Sequence, residues 1–219
     1  MSLVVVDPLP RVYGLSMTVW DDEKAAYAAA AQWFVATVPG ASGRWGEHGL
    51  GEWDVRALVG HTTRSFLTVE EYVARRAASV EVATPVDYYL ATSALAAGPG
   101  VADRGRAAGE ALGADLVAAV AVLADRVLPL VDACDGSELV TTIVGGMRLV
   151  DYLPTRTFEL VVHTLDLRAA LGADGEPPLA ASRAALRLAA DVAAARGRSG
   201  AALLALTGRR PLPEGFSVL

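Results

Sequence analysis

Apolar residues recur at intervals of three and four along most of this chain, the spacing of helices that bury one face. The first such stretch, residues 21–38, opens on Asp21, Asp22 and Glu23, which suit a helix dipole, and is closed by Pro39-Gly40. A glycine-rich loop over residues 41–52 carries Trp45 and His48. A second helix is expected from Trp53-Asp54, with Asp54 as its N-cap, to about residue 78. Val55, Leu58, Val59, Phe66, Val69 and Val73 form its apolar stripe. Residues 79–100 read as a broken connection, punctuated by Pro85 and Gly98-Pro99-Gly100, with a short helix around residues 87–97. One long alanine-rich helix is expected over residues 101–131, bent near Pro129.

The β-branched run from Val140 to Val144 predicts a hairpin over residues 137–150 that turns at Gly145-Gly146. A fourth long helix, residues 151–171, tolerates Pro154 in its first turn and stops at Gly172. A linker over 173–178 leads to a helix over 179–196, a short one around 201–206 and a proline-rich end. The sum is a mainly α fold: a four-helix bundle with a small β-hairpin before helix four and a short α-helical C-terminal appendage. The expected division is residues 1–172 and 173–219.

Composition narrows the chemistry. The formal net charge is −6, and Lys24 is the only lysine among 19 basic residues. The arginines are scattered and form no patch, so nucleic acid and anionic membranes are not expected partners. No apolar run approaches the roughly 18 residues of a spanning helix, and the run within residues 1–10 is too short for a signal peptide. A cytoplasmic protein is expected, monomeric or a homodimer. A single cysteine, Cys134, excludes an intrachain disulfide and any multi-cysteine zinc site, and is read as an incidental thiol. With three histidines in all, His48, His61 and His163, any metal or acid–base site draws on a short list.

Helix four holds the candidate chemistry. At about 100° per residue, Tyr152, Arg156, Glu159, His163 and Asp166 fall within an arc of about 80°. The remainder of that helix is largely Leu, Val and Phe, so this polar stripe is expected to face a cavity or the bundle interior. Glu159 and His163, one turn apart, can offer an oxygen and a nitrogen to one metal ion. His61, at the edge of the apolar stripe of helix two, is the best third ligand, whereas His48 lies in the loop. Two histidines and a carboxylate leave coordination positions open, the pattern of a catalytic site. Asp166 can accept the free ring N–H of His163 and orient it. The same stripe also fits a purely structural set of buried pairs.

The string Trp53-Asp54-Val55-Arg56-Ala57-Leu58-Val59-Gly60-His61 resembles a signature of the mycothiol-dependent maleylpyruvate isomerase family. The helix from Arg156 through Glu159 and His163 to Asp166 is similar to its second signature, Arg-x-x-Glu-x-x-x-His-x-x-Asp. The resemblance covers about residues 21–171 and implies a DinB-like four-helix bundle. It places the metal ligands on His61, Glu159 and His163, with zinc or another divalent cation, and implies mycothiol as co-substrate. It also implies an actinobacterial source, which the arginine bias suits.

Leu203 to Arg209 resembles the family's C-terminal Leu-x-x-x-Thr-Gly-Arg motif, with Arg209 placed to meet a substrate carboxylate. Arg156 and Arg64 are candidates for binding carboxylates of thiol or substrate. The stretch after Gly172 is shorter than the C-terminal domain of classical isomerases in the family, which leaves the substrate open. The implied activity is a metal-dependent, mycothiol-using enzyme, a cis–trans isomerase or S-transferase acting on a small electrophile. A non-catalytic metal- or ligand-binding bundle and a metal-dependent hydrolase are the alternatives.

Overall fold

A computed structural model of the protein describes residues 18–96 and 100–219. The expectations for residues 1–10 and for Gly98-Pro99 lie outside the described residues. Helix α1 (Val19–Thr37) begins at Thr18, whose hydroxyl accepts the Asp21 N–H while the Asp21 carboxylate accepts the Thr18 N–H. This reciprocal box satisfies two amides that a helix start leaves unpaired. A 3-10 turn (Val38–Ala41) follows, then two short antiparallel strands: β1 (His48–Leu50) within the expected loop, and β2 (Trp53–Asp54) at the expected opening of helix two.

Asp54 caps α2 (Val55–Ala74), accepting the Ala57 N–H at 2.7 Å. This helix stops at Ala74 rather than near residue 78, because the chain there pairs with the later hairpin. Ala77 N–H donates to Leu139 O and Thr141 N–H to Arg75 O, with a bridge between Arg76 and Val140.

Helix α3 (Pro85–Ala96) occupies the expected short-helix region. The expected long helix is two: α4 (Gly100–Ala111) and α5 (Leu116–Asp132). Gly113 adopts a positive φ of 75°, which ends the first, and Asp115 caps the second by accepting the Ala118 N–H at 3.0 Å. Pro129 lies in the last turn of α5.

The hairpin consists of β3 (Leu139–Thr142) and β4 (Gly145–Arg148), paired Thr142 to Gly145, so it turns at Ile143-Val144 and not at Gly145-Gly146. The two glycines serve another purpose. A Cβ on Gly146 would stand 2.0 Å from Ser79 O, and Gly146 O accepts the N–H groups of Glu81 and Val82. They let the segment after α2 lie directly against the hairpin.

Helix α6 (Leu149–Ala170) completes the bundle: α1, α6, α2 and α5 form a ring in which each packs on two neighbours. Tyr27, Phe34, Leu58, Phe66, Leu116, Leu153 and Leu160 fill its interior without exposure to solvent. Tyr27 meets Phe66 edge-on, with ring centroids 6.4 Å apart, and its hydroxyl donates to Ser65 O. Outside the ring, α4 lies on α2, and α7 (Leu179–Ala195) lies against α1 and α6, where Ala181, Leu188 and Val192 are buried. Helix α8 (Ser199–Leu206) has no buried residue. Among the described residues, no helix is long and apolar enough to cross a membrane.

Candidate metal centre

Two bundle helices bring the site together. His61 sits in the second turn of α2, and Glu159 and His163 one turn apart on α6. One donor atom from each lies within 4.8 Å of the others. His163 Nε2 is 3.2 Å from Glu159 Oε2, and the His61 and His163 rings meet edge-on with centroids 4.8 Å apart. His61, far from the α6 pair in the chain, shares one small volume with it.

Each donor is held from behind. Asp166 Oδ2 lies 3.0 Å from His163 Nδ1, so the outer nitrogen is engaged and Nε2 faces the cluster. The Tyr89 hydroxyl, from α3, donates to Glu159 Oε1 at 2.8 Å. Trp53 stacks on the His61 ring at 4.4 Å and anchors itself by donating to Ala102 O at 3.1 Å. His48 contacts Gly51 O in the exposed β1–β2 turn and takes no part.

Electrostatics sort the three groups. Burial, reinforced by His163, pushes the His61 pKa down to about 3, so this imidazole is neutral. Burial opposes charge on Glu159, but its hydrogen bonds from His163 and Tyr89 and the nearby Arg156 outweigh it and hold the pKa at about 2. Burial likewise opposes charge on His163, but Asp166 and Glu159 win and raise its pKa to about 9.

The donor set fits a divalent cation. Two imidazoles and a carboxylate suit zinc and its neighbours, and three protein ligands leave a position open. His61 Nδ1 is buried without a hydrogen-bond partner among the described residues, a costly state for a polar atom in a site otherwise satisfied. Because only His163 carries a proton that must leave, uptake of a cation is expected to release one proton per site near neutral pH. Affinity should then rise about tenfold per pH unit until the pH passes about 9. Calorimetry of zinc binding in two buffers of different ionisation heat reads this directly. A proton count of zero at pH 7 contradicts it.

The cluster forms one wall of a cavity of about 650 Å³. Arg156 is buried in another, with its guanidinium over the rings of Tyr88 and Tyr152 at 5.4 and 5.1 Å. Its Nε donates to Thr155 Oγ1 at 3.0 Å, and no carboxylate hydrogen-bonds it among the described residues. Tyr152, the first member of the polar stripe, donates to Thr68 Oγ1. Arg64, Arg104 and Arg196 also line the cavity, and Glu159 is the one acidic side chain among its described walls, so basic side chains outnumber acidic ones there.

Arg209 does not line it. Gly208, at φ 69°, ends α8, and Arg209 is exposed with its N–H bonded to Leu204 O. Cys134 is also elsewhere: its thiol contacts Leu130 O, and burial pushes its pKa up to about 11. Tyr88, Tyr89 and Arg196 were not singled out from the sequence. An adjacent pair of tyrosines on a short helix was the available signal for the first two.

Comparison with curated proteins returns no match, and comparison with solved structures returns none. A family model does match, that of the mycothiol maleylpyruvate isomerase N-terminal domain, over residues 25–168. The match runs from within α1 to the last turns of α6 and includes His61, Glu159 and His163, while Arg196 and Arg209 fall beyond it. Over most of its length, and through every candidate ligand, the chain therefore belongs to the mycothiol maleylpyruvate isomerase N-terminal domain family.

Proposed function

We propose that this protein is a divalent-metal-dependent enzyme that uses mycothiol to act on a small electrophilic substrate, by cis–trans isomerisation or S-transfer. The observation that carries the reading is the convergence of His61, Glu159 and His163 on one wall of an arginine-lined cavity, in a chain of this family. His61, Glu159 and His163 would hold the cation, most simply zinc. When bound, the cation supplies Lewis acidity that keeps mycothiol as a thiolate near neutral pH, the nucleophile common to isomerisation and S-transfer.

The chain's own residues do the rest. Asp166 fixes the tautomer and direction of His163 through Nδ1. Arg156, pre-aligned between two tyrosine rings, presents guanidinium donors to an anionic group of the substrate, and Arg64 adds a second positive charge on the α2 side. Trp53, Tyr72 and Tyr88 wall the cavity with rings that exclude water and strengthen those charges. The segment after α8 does reach the cavity, through Leu219, but Arg209 itself is exposed just beyond α8 and is left out of this scheme.

A hydrolase would need a carboxylate free to take a proton from water. Asp166 is committed to His163, and Glu159 to Tyr89 and His163, which favours the thiol-dependent reading. The test is turnover of a panel of cis-configured and alkylating electrophiles by zinc-loaded protein, with and without mycothiol. Product that requires both metal and thiol supports the reading. Activity indifferent to mycothiol overturns it in favour of hydrolysis, and thiol binding without turnover overturns it in favour of a binding bundle.

A further inference from the structure

We propose that Tyr89, on α3, is a positioning residue that commits Glu159 to offering a single oxygen, Oε2, to the metal. The inference rests on the metal reading of the site and goes beyond it, because α3 carries none of the three ligands. The Tyr89 hydroxyl lies 2.8 Å from Glu159 Oε1 and 3.2 Å from Thr155 O. It has one proton to give, and the ionised carboxylate is the stronger acceptor. Oε1 is thus taken by a phenol on one side while Oε2 stands 3.2 Å from His163 Nε2 on the other. The two ends of the carboxylate are assigned to different partners.

The ring cannot easily turn away. Tyr89 is buried, packs edge-on against Phe158 at 5.5 Å and meets Tyr88 at 5.8 Å, nearly perpendicular. Helix α3 packs on α6 and α7, so the phenol reaches Glu159 from an element that carries no ligand itself. A carboxylate free at both oxygens can close on a cation with both. One oxygen held by Tyr89 keeps a further coordination position available to an incoming ligand.

The test uses cobalt(II) as the probe on the purified full chain, wild type and Tyr89→Phe. The phenylalanine keeps the packed ring and removes only the hydroxyl. Cobalt affinity is expected to fall 10- to 100-fold, the usual cost of losing a group that orients a ligand. The visible cobalt absorption should weaken as the second carboxylate oxygen joins the coordination shell.

Phe158→Leu, which disturbs the packing of the ring but keeps the hydroxyl, should lower Tm and leave the cobalt spectrum in place. A purely structural Tyr89 would leave the cobalt affinity and spectrum of Tyr89→Phe unchanged. Tyr89→Phe protein with wild-type cobalt affinity and spectrum overturns the proposal. If that variant does not fold, protein labelled with 3-fluorotyrosine is read instead. Its more acidic phenol must shift the cobalt spectrum, and an unshifted spectrum overturns the proposal. Wild-type protein that takes up no cobalt removes the metal reading itself, a distinct result.

Discussion

Replacement of His61 by alanine is expected to weaken zinc binding by more than about 100-fold while leaving the metal-free protein folded. Loss of an orienting group behind a ligand already costs 10- to 100-fold, and loss of one of three ligands must cost more. His61 is the informative position because its imidazole is neutral, so its removal strands no charge. Stability should fall only by the lost stacking on Trp53 and the small void left behind.

Glu159→Gln behaves differently. It removes the carboxylate that faces protonated His163, with buried Arg156 nearby. Breaking such a buried pair costs about 3 kcal/mol or more. Both variants should lose metal, but only Glu159→Gln should also lower the Tm of the metal-free protein substantially. Chelator competition and thermal melts of stripped protein read the two effects. A His61→Ala variant with wild-type zinc affinity sinks the assignment of the site.

That contrast depends on residues whose roles were visible in the sequence to different degrees. The stretch from Trp53 to His61 was legible nearly residue by residue. Asp54 caps, Val55, Leu58 and Val59 are buried, and His61 reaches the site. The polar arc of α6 was legible because helical geometry is fixed: Arg156, Glu159 and His163 do line the cavity, and Asp166 does reach His163.

The α3 contribution was not legible. Adjacent residues on a helix point about 100° apart, so Tyr88 can serve Arg156 while Tyr89 serves Glu159. Nothing in the pattern of α3 itself says which helix it covers. That is set by the preceding segment, pinned by Gly146 O to Glu81 and Val82. Likewise Gly145-Gly146 looked like a turn because glycine permits one, when close approach of another segment was the reason. The break at Gly113 was in view, with Asp115 after it as a cap, but the run of good helix formers on both sides masked it.

Gly60→Ala is expected to destabilise the protein by about 3 kcal/mol and to weaken metal binding together with the fold. A Cβ at residue 60 would stand 2.1 Å from Gly109 N and 2.4 Å from Gly109 Cα, backbone atoms of α4 that have no side chain to swing aside. Overpacking usually costs 1–3 kcal/mol, and a clash of two helix backbones belongs at the upper end. In a chain of this length that corresponds to a fall of roughly 6–12 °C in Tm.

Separation of α2 and α4 would also strain the Trp53 bond to Ala102 O and the Arg56 bonds to Gly109 O and Gly113 O. Trp53 is the ring stacked on His61, so the disturbance passes to a ligand. No shortening at residue 109 can relieve it, because that residue is already glycine. Gly113→Ala is the control: its φ of 75° penalises a side chain by about 1–2 kcal/mol, yet nothing lies near the added carbon. It should lower Tm modestly and keep wild-type zinc affinity. If Gly60→Ala melts and binds zinc like Gly113→Ala, the contact of α2 with α4 does not set the position of His61.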